Sequence, residues 1–235
     1  MIQTLKLGSL YLDGAPAPSG LEYHPGQAIS FGAATHDTAI GWVPVNGLLI
    51  ADRCLLSNIR WDDLHAQDLV FGKEVKIQGF RFRSRLLKVG STEGALNEWD
   101  TTLDIVGENN DLWHWENIFF WGQEAVGNAS YRVSRGCYSA RCWNCDPASH
   151  RRACLGFRPA LEPLHTDHSA LRSNQDILVI GYDGCVAGKL VEKTQYDLIL
   201  QPKPGGLIGK AAFAANLRDG TVAVDRSAIL SIATA

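Results

Sequence analysis

Turn signals outnumber helix signals along this chain of 235 residues, 23 of which are glycine, and this favours short strands and irregular segments over long helices. Residues 2–12 alternate polar and apolar side chains, as a half-buried strand does. Residues 39–51 predict two short strands separated by a turn, and residues 73–87 predict a hairpin that turns at Gln78-Gly79.

The composition excludes several classes of protein. Hydrophobic residues make up 46% of the chain and include seven tryptophans, which is enough apolar material for a packed core and excludes a disordered chain. The formal net charge of −3 argues against a chain that binds polyanions as a whole. No apolar run is long enough for a membrane-spanning helix, so we expect no membrane partner. Residues 1–14 lack a signal-peptide core, so we expect a cytoplasmic protein, with a virion or leaderless export as alternatives.

A polar seam at residues 162–175 lacks apolar periodicity and marks a domain boundary. Beyond it, five or six short strands are separated by turns rich in glycine, proline and aspartate. We therefore predict two domains: residues 1–165, and a small all-β barrel or sandwich at residues 170–235 that acts as an accessory domain.

Two glycine-and-arginine motifs, Arg135-Gly136 and Gly156-Phe157-Arg158, bracket the middle of the chain. The glycines predict positions where a strand turns or where another backbone comes close, because glycine lacks a Cβ atom. Phe157 is expected in the core, and Arg158 on the opposite face of the same strand. We expect carboxylates to hold the two arginines, and the candidates are Glu98, Asp100 and Glu124.

The sequence RVSRG at residues 132–136, followed by GFR at residues 156–158, resembles the C-type lectin fold of the formylglycine-generating-enzyme type. That family also holds the variable proteins of diversity-generating retroelements, which are frequent in phages and mobile elements. The resemblance covers about residues 50–161. It implies an α+β, C-type lectin-like domain with much irregular structure over residues 1–165, and an irregular surface patch at residues 137–154.

The composition of residues 137–154 fits a displayed surface, because the segment contains no Lys, Glu, Gln or Met. In retroelement-diversified proteins, randomised adenines turn asparagine codons into those of Tyr, Ser, Cys, His, Asp and Arg, although Trp143 cannot arise in this way. We expect a non-catalytic module that binds a protein or another macromolecular ligand through this variable surface. The expected contact residues are Tyr138, Arg141, Trp143, Asn144, Asp146, His150 and Arg151.

Residues 132–158 also carry a local positive charge, with six arginines and one aspartate. One interpretation is scaffold arginines beside a diversified surface. The other is a basic face that binds a nucleic acid or another acidic ligand.

Four clustered cysteines, Cys137, Cys142, Cys145 and Cys154, leave three alternatives open. A disulfide scaffold is not expected without an export signal. The pair Cys142-x2-Cys145 could bind zinc together with the neighbouring thiols. The resemblance implies a second alternative, an enzyme that oxidises a substrate cysteine with copper held by Cys137 and Cys142. In the third, which we favour, the cysteines arise from the same codon changes as the rest of the variable surface. A separate alternative for the function, implied by the frequency of this family in phages and mobile elements, is a phage-encoded inhibitor that blocks a host defence complex through the basic face. We expect no cofactor; besides zinc, calcium at residues 108–111 is the alternative.

Overall fold

The computed structural model describes a chain built mainly of β-strands, over residues 4–35, 37–127, 130–164, 170–209 and 213–235. The strands are β1 (Leu5–Leu12), β2 (Ala15–Ala17), β3 (Leu21–Glu22), β4 (Ile29–Gly32), β5 (Ala39–Val45), β6 (Leu48–Ala51), β7 (Leu56–Ser57), β8 (Lys73–Ile77), β9 (Phe80–Leu86), β10 (Phe119–Val126), β11 (Tyr131–Gly136), β12 (Trp143–Pro147), β13 (Leu155–Phe157), β14 (Pro159–Pro163), β15 (Asp176–Ile180), β16 (Gly184–Lys193), β17 (Asp197–Gly209), β18 (Ala214–Asn216), β19 (Val222–Asp225) and β20 (Ser231–Thr234). The α-helices of the described residues are α1 (Trp61–His65), α2 (Glu98–Val106) and α3 (Asn110–Trp113).

The predicted α+β class is therefore wrong. The longest of these helices, α2, has nine residues, whereas the strands form three sheets of eight, six and six strands. The physical reason lies in the turn residues, which interrupt most apolar segments before they reach the length of an average helix, about 11–12 residues.

The first sheet is antiparallel and has the strand order β2-β1-β5-β6-β14-β9-β8, with β4 also paired to β1. Its two predicted hairpins are confirmed. Asn46-Gly47 joins β5 to β6, and Gln78-Gly79 joins β8 to β9; all four residues have positive φ, as a type I′ turn requires. The sheet curls until Ile77 of β8 lies over Gly8 of β1, where an added Cβ atom would be 2.2 Å from the isoleucine Cγ2.

The second sheet has the order β12-β11-β10-β13-β7-β3 and mixes parallel with antiparallel pairs. The short helix α1 packs on it through a reciprocal pair of indoles. Trp61 donates through Nε1 to the carbonyl of Gly122 at 3.0 Å, and Trp121 donates to the carbonyl of Ile59 at 2.8 Å. These two hydrogen bonds attach α1 and the residues just before it to the second sheet.

The third sheet is antiparallel with the order β18-β19-β17-β16-β15-β20, and its six strands agree with the five or six predicted after residue 175. The prediction of short strands is wrong for β17, which has 13 residues and continues through residues 202–206, where a turn was predicted. Leu178 and Ile180 of β15 belong to the same apolar core as Leu5 and Leu7 of β1, so this sheet buries one face against the first. The predicted boundary falls on residues 165–169, which lie outside the described residues, and the division into two domains stays a prediction.

Both glycines of the bracketing motifs stand where backbones approach closely, as predicted. A Cβ atom on Gly156 would lie 2.4 Å from the carbonyl oxygen of Leu56, and one on Gly136 would lie 2.8 Å from that of Ile118. Phe157 is buried in the core of the first sheet. Arg158 is also fully buried, on the other side, against Trp99 and the rings next to it.

Arg158 is held by carbonyl oxygens, and the predicted carboxylate partner is wrong. Its Nη1 donates to the carbonyls of Ala51 (3.3 Å) and Asp52 (3.2 Å), and its Nη2 donates to that of Trp113 (2.6 Å). Its guanidinium carbon lies 4.8 Å from the ring centroid of Phe120. The interaction of a cation with aromatic faces strengthens when both are removed from water, so rings and carbonyls together replace a counter-ion.

The carboxylates named from the sequence have other roles. Asp100 accepts a hydrogen bond from Arg135, as predicted. Glu98 instead accepts two bonds from Arg85, each of 2.8 Å, and Glu124 accepts from the backbone N–H of Val89 at 3.0 Å.

We predict that Arg158→Met lowers the free energy of unfolding by about 3 kcal/mol or more, because three buried carbonyls lose their donor and each unsatisfied group costs about 1–3 kcal/mol. The control Arg81→Met, at a side chain that is 64% exposed, should change it by about 0.5 kcal/mol or less. Urea unfolding of both variants measures the difference. Equal stabilities would show that Arg158 does not hold the structure together.

Candidate functional site

The segment at residues 137–154 is more regular than predicted. Its centre is the edge strand β12, which pairs antiparallel with β11 so that Trp143 lies opposite Arg135 and Asp146 opposite Arg132. The residues on either side of β12, 137–142 and 148–154, form the loops. The prediction of an irregular patch is therefore wrong for residues 143–147, because a neighbouring strand supplies the hydrogen bonds that make them regular.

Strand alternation separates the predicted contact residues onto two faces of the sheet. Asn144 and Asp146 share one face. Trp143 points to the other, where it is half-buried and donates through Nε1 to the carbonyl of Gly90 at 3.1 Å. Arg141 lies on the side of α2, where it binds Asp104. The seven predicted residues therefore do not form one continuous patch.

Asp146 is the centre of a polar cluster on the first of these faces. Its side chain is 8% exposed and accepts hydrogen bonds from Nη2 of Arg152 (2.5 Å), Nδ2 of Asn144 (3.1 Å) and Oγ of Ser134 (3.4 Å). Nδ1 of His150 lies 3.6 Å from its other oxygen. The structure thus brings Asn144, Asp146 and His150 together, but it places Asp146 as the buried acceptor that orients its neighbours.

Arg151 connects the same segment to α1. Its Nη2 donates to Asp63 at 2.7 Å, and Arg60 donates to the other oxygen of that carboxylate at 2.8 Å. Burial raises the pKa of Asp63, but the hydrogen bonds from Arg60 and Arg151 outweigh it, so that the pKa lies below its ordinary value. Asp63 was not predicted at the site, although an acidic residue three positions after Arg60, in the first turn of a helix, is a signal for such a pair.

Carboxylates neutralise most of the arginines that were predicted to form a basic face. Arg141 binds Asp104 at 2.7 Å and Glu108 at 2.6 Å, next to the Arg135–Asp100 pair. Among the residues described, two arginines of this segment have no carboxylate partner. Arg158 is buried and binds carbonyl oxygens, and the guanidinium of Arg132 lies 4.0 Å from the ring centroid of Trp61. Acids that are distant in sequence therefore surround the locally basic segment.

Tyr138 is the most exposed of the predicted contact residues, with 82% of its surface accessible. Gly136 and Cys137 both have positive φ, and this left-handed backbone directs the next side chain away from the core. The Tyr138 ring packs edge-to-face against Phe119, with 5.8 Å between the ring centroids.

The clustered cysteines are all free thiols. Burial raises the pKa of Cys137, and the neighbouring thiols of Cys154 and Cys142 raise it further when ionised. In the part of the chain that the structure describes, no three side chains of His, Cys, Asp or Glu are placed to hold a metal ion.

No protein-family model, curated protein or solved structure matches the chain. Within the described ranges, none of the helices has the length and apolar character needed to span a membrane.

We predict that Asp63→Asn lowers the free energy of unfolding at pH 7 by about 1–3 kcal/mol, because two arginines lose a charged acceptor. A carboxyl with a lowered pKa stabilises the folded state above its unfolded pKa of about 3.9, and this contribution is lost as the pH falls through the lower, folded value. The difference from wild type should therefore shrink below about pH 4. Urea titrations between pH 2 and 7 measure it, with the exposed Asp62→Asn as control. A difference that does not depend on pH would contradict the assignment.

Proposed function

We propose that the chain is a non-catalytic binding protein that recognises a protein partner through Tyr138, Asn144, His150 and Arg151, which we name the hairpin surface. The observation that carries the proposal is the exposure of Tyr138 on a fixed backbone turn. Tyrosine supplies a large amphipathic contact area with few rotatable bonds, and it is enriched among the residues that dominate binding energy.

The rigidity of the surroundings supports this role. Asp146 and Asp63 each bind an arginine from the loop that follows β12, Arg152 and Arg151, and so fix that loop to β12 and to α1. A surface that is ordered before binding loses less conformational entropy on association, so more of the contact energy appears as affinity.

The ion pairs favour a protein over a nucleic acid as partner. Binding to a polyanion depends on arginines and lysines that are free to neutralise phosphates, and Arg141, Arg151 and Arg152 are already paired with carboxylates. Arg135 is buried as well as paired. The salt dependence measured below therefore tests the alternative of a nucleic acid or another acidic ligand.

Burial raises the pKa of Cys137, so in the metal-free protein a smaller fraction of this thiol is ionised at neutral pH and available as a nucleophile. The copper-dependent oxidation of a substrate cysteine stays an alternative. The resemblance to retroelement variable proteins and the inhibition of a host defence complex stay predictions; the hairpin surface is compatible with both.

We predict that Tyr138→Ala weakens binding of the native partner by about 2 kcal/mol, roughly thirtyfold, as expected for an anchoring aromatic residue. The matched control is Tyr196→Ala, because Tyr196 is also exposed (71%) but precedes β17 of the third sheet. Proteins recovered from the source cells by the wild-type chain and by each variant, compared by quantitative mass spectrometry, identify the partner. Titration of that partner then gives the three affinities.

The salt dependence of the same titration distinguishes the partner classes. A protein partner should lose little affinity between 50 and 200 mM salt, whereas a nucleic acid with several phosphate contacts would lose about a thousandfold or more. Equal weakening by Tyr138→Ala and Tyr196→Ala would contradict recognition through the hairpin surface.

A further inference from the structure

A small polar pocket in the first sheet lies apart from the hairpin surface. It has a volume of about 250 Å³, below the roughly 300–1,000 Å³ of pockets for drug-sized ligands, so it limits a ligand to a few heavy atoms. Its polar lining residues are two cations, two carboxylates and two hydroxyls: Lys6, Arg53, Asp37, Asp52, Ser19 and Thr38.

The carboxylate of Asp52 is the buried charge of this pocket, with 6% of its side chain exposed. Its Oδ1 accepts from Nε of the adjacent Arg53 at 3.0 Å, but Oδ2 has only a long contact of 3.4 Å with Nη2 of the same arginine. A buried carboxylate oxygen normally accepts well-formed hydrogen bonds, because burial without them is costly. Oδ2 therefore retains the capacity to accept a hydrogen bond from a ligand.

Gly41 brings this oxygen close to a second charge. A Cβ atom on Gly41 would lie 2.3 Å from Oδ2 of Asp52 and 3.0 Å from Nζ of Lys6, so both groups line the space above this glycine. In the described part of the chain, no carboxylate is within 4 Å of the Lys6 ammonium. The pocket thus presents an acceptor and a cation that do not neutralise each other directly.

The backbone on both sides of these charges is fixed. Asp52 donates its N–H to the carbonyl of Gly41 at 2.9 Å, and its own carbonyl accepts from the buried Arg158 at 3.2 Å. Arg53 is held from outside the pocket by His114, whose Nε2 accepts from Nη2 at 2.9 Å. Asp52 and Arg53 are therefore positioned before a ligand binds, which limits the entropy that binding costs at these two groups.

From this geometry we infer that the pocket binds a small carboxylate that carries a hydroxyl or an amino group on the neighbouring carbon. The ligand carboxylate binds mainly the Lys6 ammonium, as charge-assisted hydrogen bonds favour, with Nη1 of Arg53 as a second donor, because Nε and Nη2 of Arg53 already bond to Asp52 and His114. Its hydroxyl or ammonium group donates to Oδ2 of Asp52. A simple anion lacks that donor, so it cannot bond to Oδ2 and is repelled by the carboxylates of Asp52 and Asp37.

The test titrates the full-length chain with glycolate, glycine and acetate and follows the amide signals of Gly41 and Asp52 by NMR. We expect saturable shifts with glycolate, with glycine or with both, and at least about tenfold weaker binding of acetate. Binding of glycolate alone identifies a hydroxy acid as the ligand class, and binding of glycine alone identifies an amino acid; either supports the inference. Absence of binding by both, or equal binding of acetate, overturns it.

Variants test the same assignment without disturbing the core. Lys6 is exposed, so Lys6→Met should fold normally, and we expect it to bind the ligand at least about tenfold more weakly. The control Lys76→Met removes another exposed lysine of the first sheet and should bind as wild type does. Undiminished binding by Lys6→Met overturns the inference. None of these outcomes depends on the hairpin surface.

Discussion

The hydrogen bonds of the buried Arg158 guanidinium hold the structure together where its first and second sheets meet. Arg158 stands between β13 of the second sheet and β14 of the first, so the chain passes from one sheet to the other at this residue. Its N–H groups donate to the carbonyls of Ala51 at the end of β6, Asp52 directly after it, and Trp113 at the end of α3. Burial lowers the pKa of Arg158, because a charge is costly away from water, and the three carbonyls and the aromatic rings offset that cost.

The same residue connects the fold to the inferred pocket. Because Arg158 binds the backbone carbonyl of Asp52, the side chain of Asp52 leaves the backbone from a fixed position. His114 follows Trp113 directly and holds Arg53 on the other side of the carboxylate. The buried Arg158 thus fixes the backbone that carries Asp52, and His114 fixes the arginine that pairs with the Asp52 carboxylate.

Arginines have a second, different role at the hairpin surface. There, Arg141, Arg151 and Arg152 bind carboxylates and fix the loops on either side of β12. Planar guanidinium groups suit this use, since each can bind two acceptors in a defined geometry. The result is a surface with little free positive charge, from which Tyr138 projects.

The amino-acid sequence by itself determined the local features of this protein. The hairpins at Asn46-Gly47 and Gln78-Gly79 and the close approaches at Gly136 and Gly156 follow from backbone preferences that glycine and asparagine carry wherever they stand.

Only the tertiary structure decided the fold class and the partners of the charged side chains. The strand β12 exists because β11 pairs with it, and Asp146 is buried because Arg152 and Ser134 surround it. The acids that neutralise Arg141 lie more than thirty positions away, and Lys6 and Asp52 come together across two strands. Side-chain charges interact through space and carry no local sequence preference for their partners, so these contacts could be read only from the folded chain.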